Sequence, residues 1–265
     1  MTNFTRPLDS TSAAESVSNR SATSARFLII GAGRAARHFA HYFRLENLNF
    51  ETWSRALNSD DLARKIARCT HALLLINDRA IEDFYNQNPA LSKRVVLHCS
   101  GALKSELIPG AHPLMTFADR LYDLETYQKI FFVYDDGQDF NELLPGLKNQ
   151  SHPLPANQKP FYHALCVMSG NFTTMLWEKV FGDFESKLGL PRNVLFPYLN
   201  QTADNLCRAS ADQSVLTGPI VRDDRLTINS HLAALEGDTY RDVYLAFCEA
   251  YHRERRSKKE ISHEE

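Results

Sequence analysis

Nowhere does this chain hold the roughly 18 consecutive apolar residues that a membrane-spanning helix needs, so the expectation is a soluble protein. A marked excess of charge of either sign is also missing. The formal net charge is -2 with acids and bases interspersed, which leaves no electrostatic footprint for a nucleic acid. Cysteine is sparse: Cys69, Cys99, Cys166, Cys207 and Cys248 are far apart, odd in number and without a C-x-x-C pair. That spacing argues against a zinc ribbon, a dithiol redox motif or a disulfide framework. The five read as small apolar residues of a reducing compartment, and a cytoplasmic location is expected. His38 and His41 are three positions apart with no third ligand beside them, so no metal site is expected. Residues 1–25 are rich in Ser, Thr, Ala and Asn and lack the apolar stretch of a secretory signal, which reads as a loose tail. The mixed charge run over 252–265 reads as the fraying end of a last helix.

What is present is a regular alternation. Short apolar runs at 27–30, 50–53, 72–76, 95–98 and 130–133 read as strands, with helical stretches at 35–45, 59–68 and 80–87 between them. Nearly continuous apolar strands separated by helices imply a parallel sheet covered on both faces, a doubly wound α/β domain of Rossmann type. Beyond about residue 150 the strand pattern stops. The proline-rich stretch 152–160 reads as a semi-rigid connection, followed by helices at 161–188, 192–209, 226–235 and 240–253. The predicted organisation is therefore a tail (1–25), a nucleotide-binding α/β domain (26–152) and an all-α domain (153–265).

The first strand runs into Gly31-Ala32-Gly33-Arg34-Ala35-Ala36, a G-x-G-x-x-A pattern placed after an apolar strand and before an amphipathic helix. Gly31 allows the tight turn, Gly33 lets backbone approach a pyrophosphate, and Ala36 allows close helix–strand packing. The free amides from Gly31 to Ala35 would face the anion. At the end of the second strand, where NAD sites place an Asp or Glu, the chain reads Trp53-Ser54-Arg55. A hydroxyl and a guanidinium suit a 2′-phosphate, so NADP(H) is favoured over NAD, with Arg34 as a second cation and Ile76 as an apolar contact past the third strand.

Further polar residues sit after predicted strands or inside apolar helix. The segment His98-Cys99-Ser100-Gly101 suits hydroxyl and amide donors near a nicotinamide, or else a plain Ser-Gly turn with His98 packed in the sheet. His112 opens the loop segment 112–117. His163 and Asn171 interrupt an otherwise apolar helix, and at α-helical spacing they lie about 80° apart, close enough to line one side of a cleft. A satisfied core histidine and a loop-binding amide would suffice to explain them, and on the residues alone that reading is the favoured one. The loop 216–224 carries Thr217, Arg222, Asp223 and Asp224; Arg222 suits a substrate carboxylate or an ordinary ion pair with either acid.

Taken together, Gly31-Ala-Gly-Arg34, Ser54-Arg55, His98-Cys-Ser-Gly101, His112-Pro-Leu-Met-Thr-Phe117, Tyr162-His163 with Asn171, Leu216-Thr-Gly-Pro-Ile220 with Arg222 and Asp224, and His231-Leu-Ala-Ala-Leu235 resemble the Rossmann-like proteins with a C-terminal DUF2520 domain. That group is similar in architecture to 6-phosphogluconate dehydrogenase, ketopantoate reductase and pyrroline-carboxylate reductase. The resemblance covers about 26–250. It implies an NADP-binding domain, a helical domain that often dimerises, and an oxidoreductase whose substrate is not established. Met115, Asp223 and Gly170 depart from the pattern and touch the presumed cleft, which bears on substrate preference rather than on cofactor binding.

The expected activity is hydride transfer between NADP(H) and a small carbonyl or imine, or the corresponding hydroxy or amino acid. His163 is the first candidate general acid, since the ordinary pKa of imidazole lets it cycle near neutrality. His112 is the second, Asn171 and Ser100 would polarise the acceptor, and Arg222 with Thr217 and His112 would hold substrate. A small-molecule substrate and a homodimer are the expected partners. The alternative is a non-catalytic NADP(H)-binding sensor or scaffold, because a glycine turn shows binding and not chemistry.

Overall fold

The computed structural model describes residues 24–57, 59–210 and 213–264. The chain divides into two compact units, Met1–Trp177 and Glu178–Glu265. In the first, β1 (Arg26–Ile30), β2 (Asn49–Trp53), β3 (His71–Leu74) and β4 (Val95–His98) form a parallel sheet in the order β2-β1-β3-β4. Parallel pairing demands crossovers, supplied by α1 (Arg34–Leu45), α2 (Ser59–Arg68) and α3 (Ile81–Gln87). Side chains along β1 alternate strictly between the two faces. Phe27 and Ile29 join Leu73, Leu97 and the α1 aromatics Phe39 and Phe43, whereas Leu28 and Ile30 join Ala72, Leu74 and the α2 residues Leu62 and Ile66. Both faces are therefore covered, at about 1.5–3 kcal/mol for each large side chain withdrawn from water. This is the doubly wound Rossmann-type sheet.

A second sheet continues the first. A parallel bridge between His98 and Gly110 leads into β5 (Ala111–Pro113), which pairs antiparallel with β6 (Phe132–Asp135), and β6 pairs parallel with β7 (Ser151–Leu154). The short helices α4 (Leu124–Gln128) and α5 (Phe140–Leu143) pack through Tyr127, Phe140 and Leu143 into the core shared with β1. His38 is buried here, within 2.8 Å of the Tyr127 hydroxyl and 2.7 Å of the Ala118 carbonyl, so it is a satisfied core histidine.

Several sequence expectations change. His112 lies on a strand rather than in a loop, and the proline-rich stretch contains β7, an edge strand where the missing N–H of Pro153 is tolerated. The predicted strand at 130–133 is displaced to Phe132–Asp135. The expected helix over 161–188 is α6 (Lys159–Cys166), a π-helical turn (Val167–Phe172) and α7 (Thr173–Lys187). All of α6 and the π turn belong to the first unit, so this unit extends past the predicted boundary at 152. Most of the predicted tail lies outside the described residues, but Ala25 is buried against the core.

The second unit contains the end of α7 with α8 (Phe196–Arg208), α9 (Arg225–Ala234) and α10 (Tyr240–Glu264). Phe181 packs edge-on against Phe196 at 5.9 Å, under the Arg192 guanidinium. Asp238 accepts from Lys179 at 2.8 Å and Lys187 at 2.9 Å; these bonds hold its carboxyl well below the usual range. Instead of fraying at 252, α10 continues to Glu264. Among the described residues no helix is long and apolar enough to cross a membrane.

Candidate functional site

The carboxyl ends of β1, β3 and β4 meet at one edge of the first sheet, where open α/β sheets bind ligands. At β1 the chain turns through Gly31, whose φ is +144° and whose amide donates to the Trp53 carbonyl at 2.9 Å. A Cβ on Gly31 would stand 2.2 Å from the Leu75 carbonyl oxygen, so only glycine fits. Gly33 differs: a Cβ there would meet no atom within 4 Å. Gly33 also caps α1 without any side-chain hydrogen bond, and no acid stands in the first turn. The amides of Arg34, Ala35 and Ala36, in the first turn, have no acceptor among the described residues.

Beside this turn lies a pocket of about 260 Å³, lined among others by Gly31, Ala32, Arg37, Trp53 and Ser54. Ser54 is half-buried and Arg55 exposed, and neither Arg34 nor Arg55 has a carboxylate partner among the described residues. No acid lines the pocket, so nothing there competes with a phosphate. A dinucleotide diphosphate fits the cradle above Gly33, and the unpaired guanidinium groups fit a 2′-phosphate. Ile76, half-buried, packs beyond β3.

Further along the edge, Ser100 organises a loop. Its hydroxyl donates to Asp78 Oδ2 at 2.6 Å and accepts from the amides of Ala102 and Leu103 at 3.3 and 3.0 Å. The Ser100 amide donates to His98 Nδ1 at 3.2 Å, which assigns the His98 proton to Nε2. That Nε2 is buried with no hydrogen-bond partner. Burial, with the Lys159 ammonium nearby, pushes His98 down to about 4. His98 is therefore the sheet-packed residue of the two sequence alternatives.

Three side chains converge just beyond. His112 Nδ1 and the Tyr162 hydroxyl are 2.7 Å apart, and the rings of His112 and His163 stand nearly perpendicular with centroids 5.9 Å apart. Gly101 fits beneath both: a Cβ there would lie 2.5 Å from His163 Cδ2 and 3.0 Å from His112 Nε2. Burial, then the neighbouring His163 and Lys159, push His112 down to about 4, so it is neutral at pH 7.

The foundation of this cluster was not visible in the sequence pattern. Lys159, in the first turn of α6, is buried and pairs with Asp135 of β6 at 2.6 Å, while Asp135 Oδ2 accepts from the Gly110 amide at 2.7 Å. The one available hint is a lysine at a helix N-terminus, where the macrodipole disfavours a cation unless a carboxylate compensates.

Of the residues singled out earlier, the structure brings together His98, Ser100, Gly101, His112 and His163. Asn171 is exposed rather than buried and has no hydrogen bond among the described residues. The π turn, with its i→i+5 bonds, takes more residues per turn than an α-helix, so the α-helical angle of about 80° between His163 and Asn171 does not hold. Thr217 and Arg222 belong to the second unit. Asp224 caps α9 there, accepting from the Thr227 amide at 3.1 Å, and Asp223 faces Arg225 at 3.7 Å, so Arg222 is ion-paired with neither acid. Among the described residues no group of three or more His, Cys, Asp or Glu is placed to hold a metal.

Comparison with known proteins places this architecture. Residues 136–251 match the family model described as Domain of unknown function (DUF2520). No curated protein matches the chain. Among solved structures, a candidate NADP oxidoreductase from Bacteroides fragilis is similar at 19% identity and TM-score 0.69, over 86% of this chain and 98% of that one. A protein from Thermotoga maritima is similar at 22% identity and TM-score 0.63, over 88% and 99%. Plasmodium falciparum pyrroline carboxylate reductase, solved with NADP bound, is similar at 15% identity and TM-score 0.54, over 87% and 97%. These likenesses establish the fold: a Rossmann-like α/β domain followed by a helical region.

Proposed function

We propose that this chain, which carries a DUF2520 domain over residues 136–251, is an NADP(H)-dependent oxidoreductase acting on a small carbonyl or imine, or on the hydroxy or amino acid at the other end of that reaction. The observation that carries the reading is the uncapped start of α1, where Gly33 leaves open the space a side chain would fill. The Gly31 amide is taken by the Trp53 carbonyl, so the amides from Ala32 to Ala35 would hold the diphosphate; Ser54, Arg55 and Arg34 would hold the 2′-phosphate, and Ile76 would give an apolar contact. When bound, the nicotinamide supplies or accepts the hydride.

The chain's own residues manage the proton. His163 is the general acid, because His112, pushed down to about 4, is not in the imidazolium form at neutral pH and so is a poor acid. His112 positions His163 and presents its Nε2 side toward substrate. Asn171, on the π turn that follows α6, would donate to the acceptor atom. Ser100 shapes the loop, its hydroxyl proton being given to Asp78.

The chain is further proposed to work as a homodimer. Phe161, Leu165, Met168, Phe172 and Met175 are all exposed and recur every three or four residues along α6, the π turn and α7, an apolar stripe suited to a second copy. Light scattering of a Met168→Glu variant is expected to show monomer where the native chain shows dimer.

Thermal unfolding tests cofactor binding: NADPH is expected to raise the midpoint by several degrees and NADH by much less. The NADPH-loaded chain is then offered pools of 2-keto acids, aldehydes and imines, and absorbance at the nicotinamide band is followed. Equal stabilisation by NADH would remove the NADP assignment. Binding without turnover in any pool would point to a sensor or scaffold instead.

A further inference from the structure

The second unit holds a cavity of about 880 Å³ whose lining is strongly unbalanced in charge. Arg222, Arg225, Arg255 and Arg256 line it, and among the described residues Asp223 is the one carboxylate in the lining. Their existing contacts do little to neutralise them. Arg225 reaches Asp223 only at 3.7 Å, with both side chains largely in solvent. Arg255 donates to the Val221 carbonyl at 3.3 Å and Arg256 to the His252 carbonyl at 3.3 Å, and neither acceptor carries a charge. The Arg222 guanidinium makes no hydrogen bond or ion pair among the described residues and feels Asp224 only at longer range, since that carboxylate is engaged in capping α9.

A concave surface that gathers four guanidinium groups focuses positive potential, and each fork is shaped to take two phosphate oxygens. The sequence expectation of one substrate carboxylate on Arg222 uses only one of the four. Beneath the arginines the lining turns apolar, with Ile228 and Cys248 both buried. The volume falls in the range of small-molecule sites. We infer that this cavity binds a small organic molecule carrying two or more phosphate groups, its anionic end on the arginines and its body on Ile228 and Cys248. The site lies wholly within the second unit and does not rest on the redox reading.

Calorimetric titration of the full chain, run in parallel on the native sequence and on Gly33→Val, whose glycine turn is blocked, tests the inference with inorganic pyrophosphate and with ATP as probes. Both are expected to bind saturably, ATP more tightly, and binding is expected to weaken as salt rises. Arg222→Gln combined with Arg255→Gln is expected to weaken both at least tenfold. Asp223→Asn should instead tighten binding several-fold, a gain that misfolding cannot mimic, and asparagine tolerates the positive φ of 52° at that position. No saturable binding to the native chain, or Arg222→Gln/Arg255→Gln and Asp223→Asn variants that bind as the native chain does, would overturn the inference.

Discussion

Nδ1 of His112 and the hydroxyl of Tyr162 share a 2.7 Å hydrogen bond that ties β5 to α6. Because His163 follows Tyr162 directly, this one bond sets where the second imidazole stands relative to the first. The ring pair is perpendicular, and Gly101 closes it from below. A sheet residue thus fixes a helix residue, and the helix residue carries the proposed chemistry.

Tyr162→Phe deletes the hydroxyl and leaves a largely desolvated imidazole nitrogen without its partner. The expected cost is about 1–3 kcal/mol of folding stability. Urea unfolding measures it, and an unchanged midpoint would show that the bond contributes nothing.

The buried pair of Lys159 and Asp135 should be worth more. Lys159→Met leaves a carboxylate that is only 17% exposed, with the Gly110 amide as its remaining donor among the described residues, and breaking such a pair typically costs about 3–5 kcal/mol. Adding Asp135→Asn removes the stranded charge and should recover part of the loss, so the double variant is expected to be more stable than Lys159→Met alone. A double variant no more stable than the single one would mean that the charge pairing is not what holds α6.

How much of this was legible beforehand depends on whether neighbours in sequence are also neighbours in space. The four strands of the parallel sheet read directly from the sequence: runs such as Phe27 to Ile30 are buried on both faces, and the edge strand β2, although it carries Glu51 and Thr52, keeps Phe50 and Trp53. The glycine turn was legible for the same local reason. Neither β5 nor β7 showed a pattern, since His112, Pro113 and Pro153 break the alternation that edge pairing tolerates. The π turn left no mark that distinguishes it from α-helix. Lys159 and Asp135 are 24 positions apart, and nothing local announces such a pair. His163 and Asn171 stand out in the sequence as polar residues in apolar helix, but the exposure of Asn171 depends on packing that periodicity does not encode.

Stability should fall in mild acid. The folded chain holds both His98 and His112 down at about 4, against 6.5 for an unperturbed histidine, chiefly through burial. Between those values the unfolded chain binds protons that the folded chain refuses. The stabilisation is therefore complete above about pH 6.5 and is lost as pH falls toward 4, by about 1.4 kcal/mol per pH unit and at most about 3 kcal/mol for each residue. His71, also lowered by burial, acts in the same direction. The carboxyls of Asp224 and Asp238 are lowered too, but their loss begins only below 3.8 and so follows this window. Denaturant unfolding at pH 7, 5.5 and 4 should show the decline, and His112→Gln should make it shallower. An unchanged slope in that variant would mean that His112 titrates normally in the folded chain.

The two glycines of the turn should fail in different ways. Gly31→Ala drives a Cβ to within 2.2 Å of a backbone oxygen at φ +144°, where neither partner can yield, so loss of folded protein is expected. Gly33→Val places its side chain in open space at φ -72°, which any residue adopts. That variant should unfold within about 1 kcal/mol of the native chain, the glycine-to-branched change in an extended position being nearly neutral. It should nevertheless lose NADPH-induced thermal stabilisation, because the isopropyl group fills the space a diphosphate needs. Intact stability with intact NADPH binding would separate the fold from the function and show that the open space above Gly33 is not where the diphosphate sits.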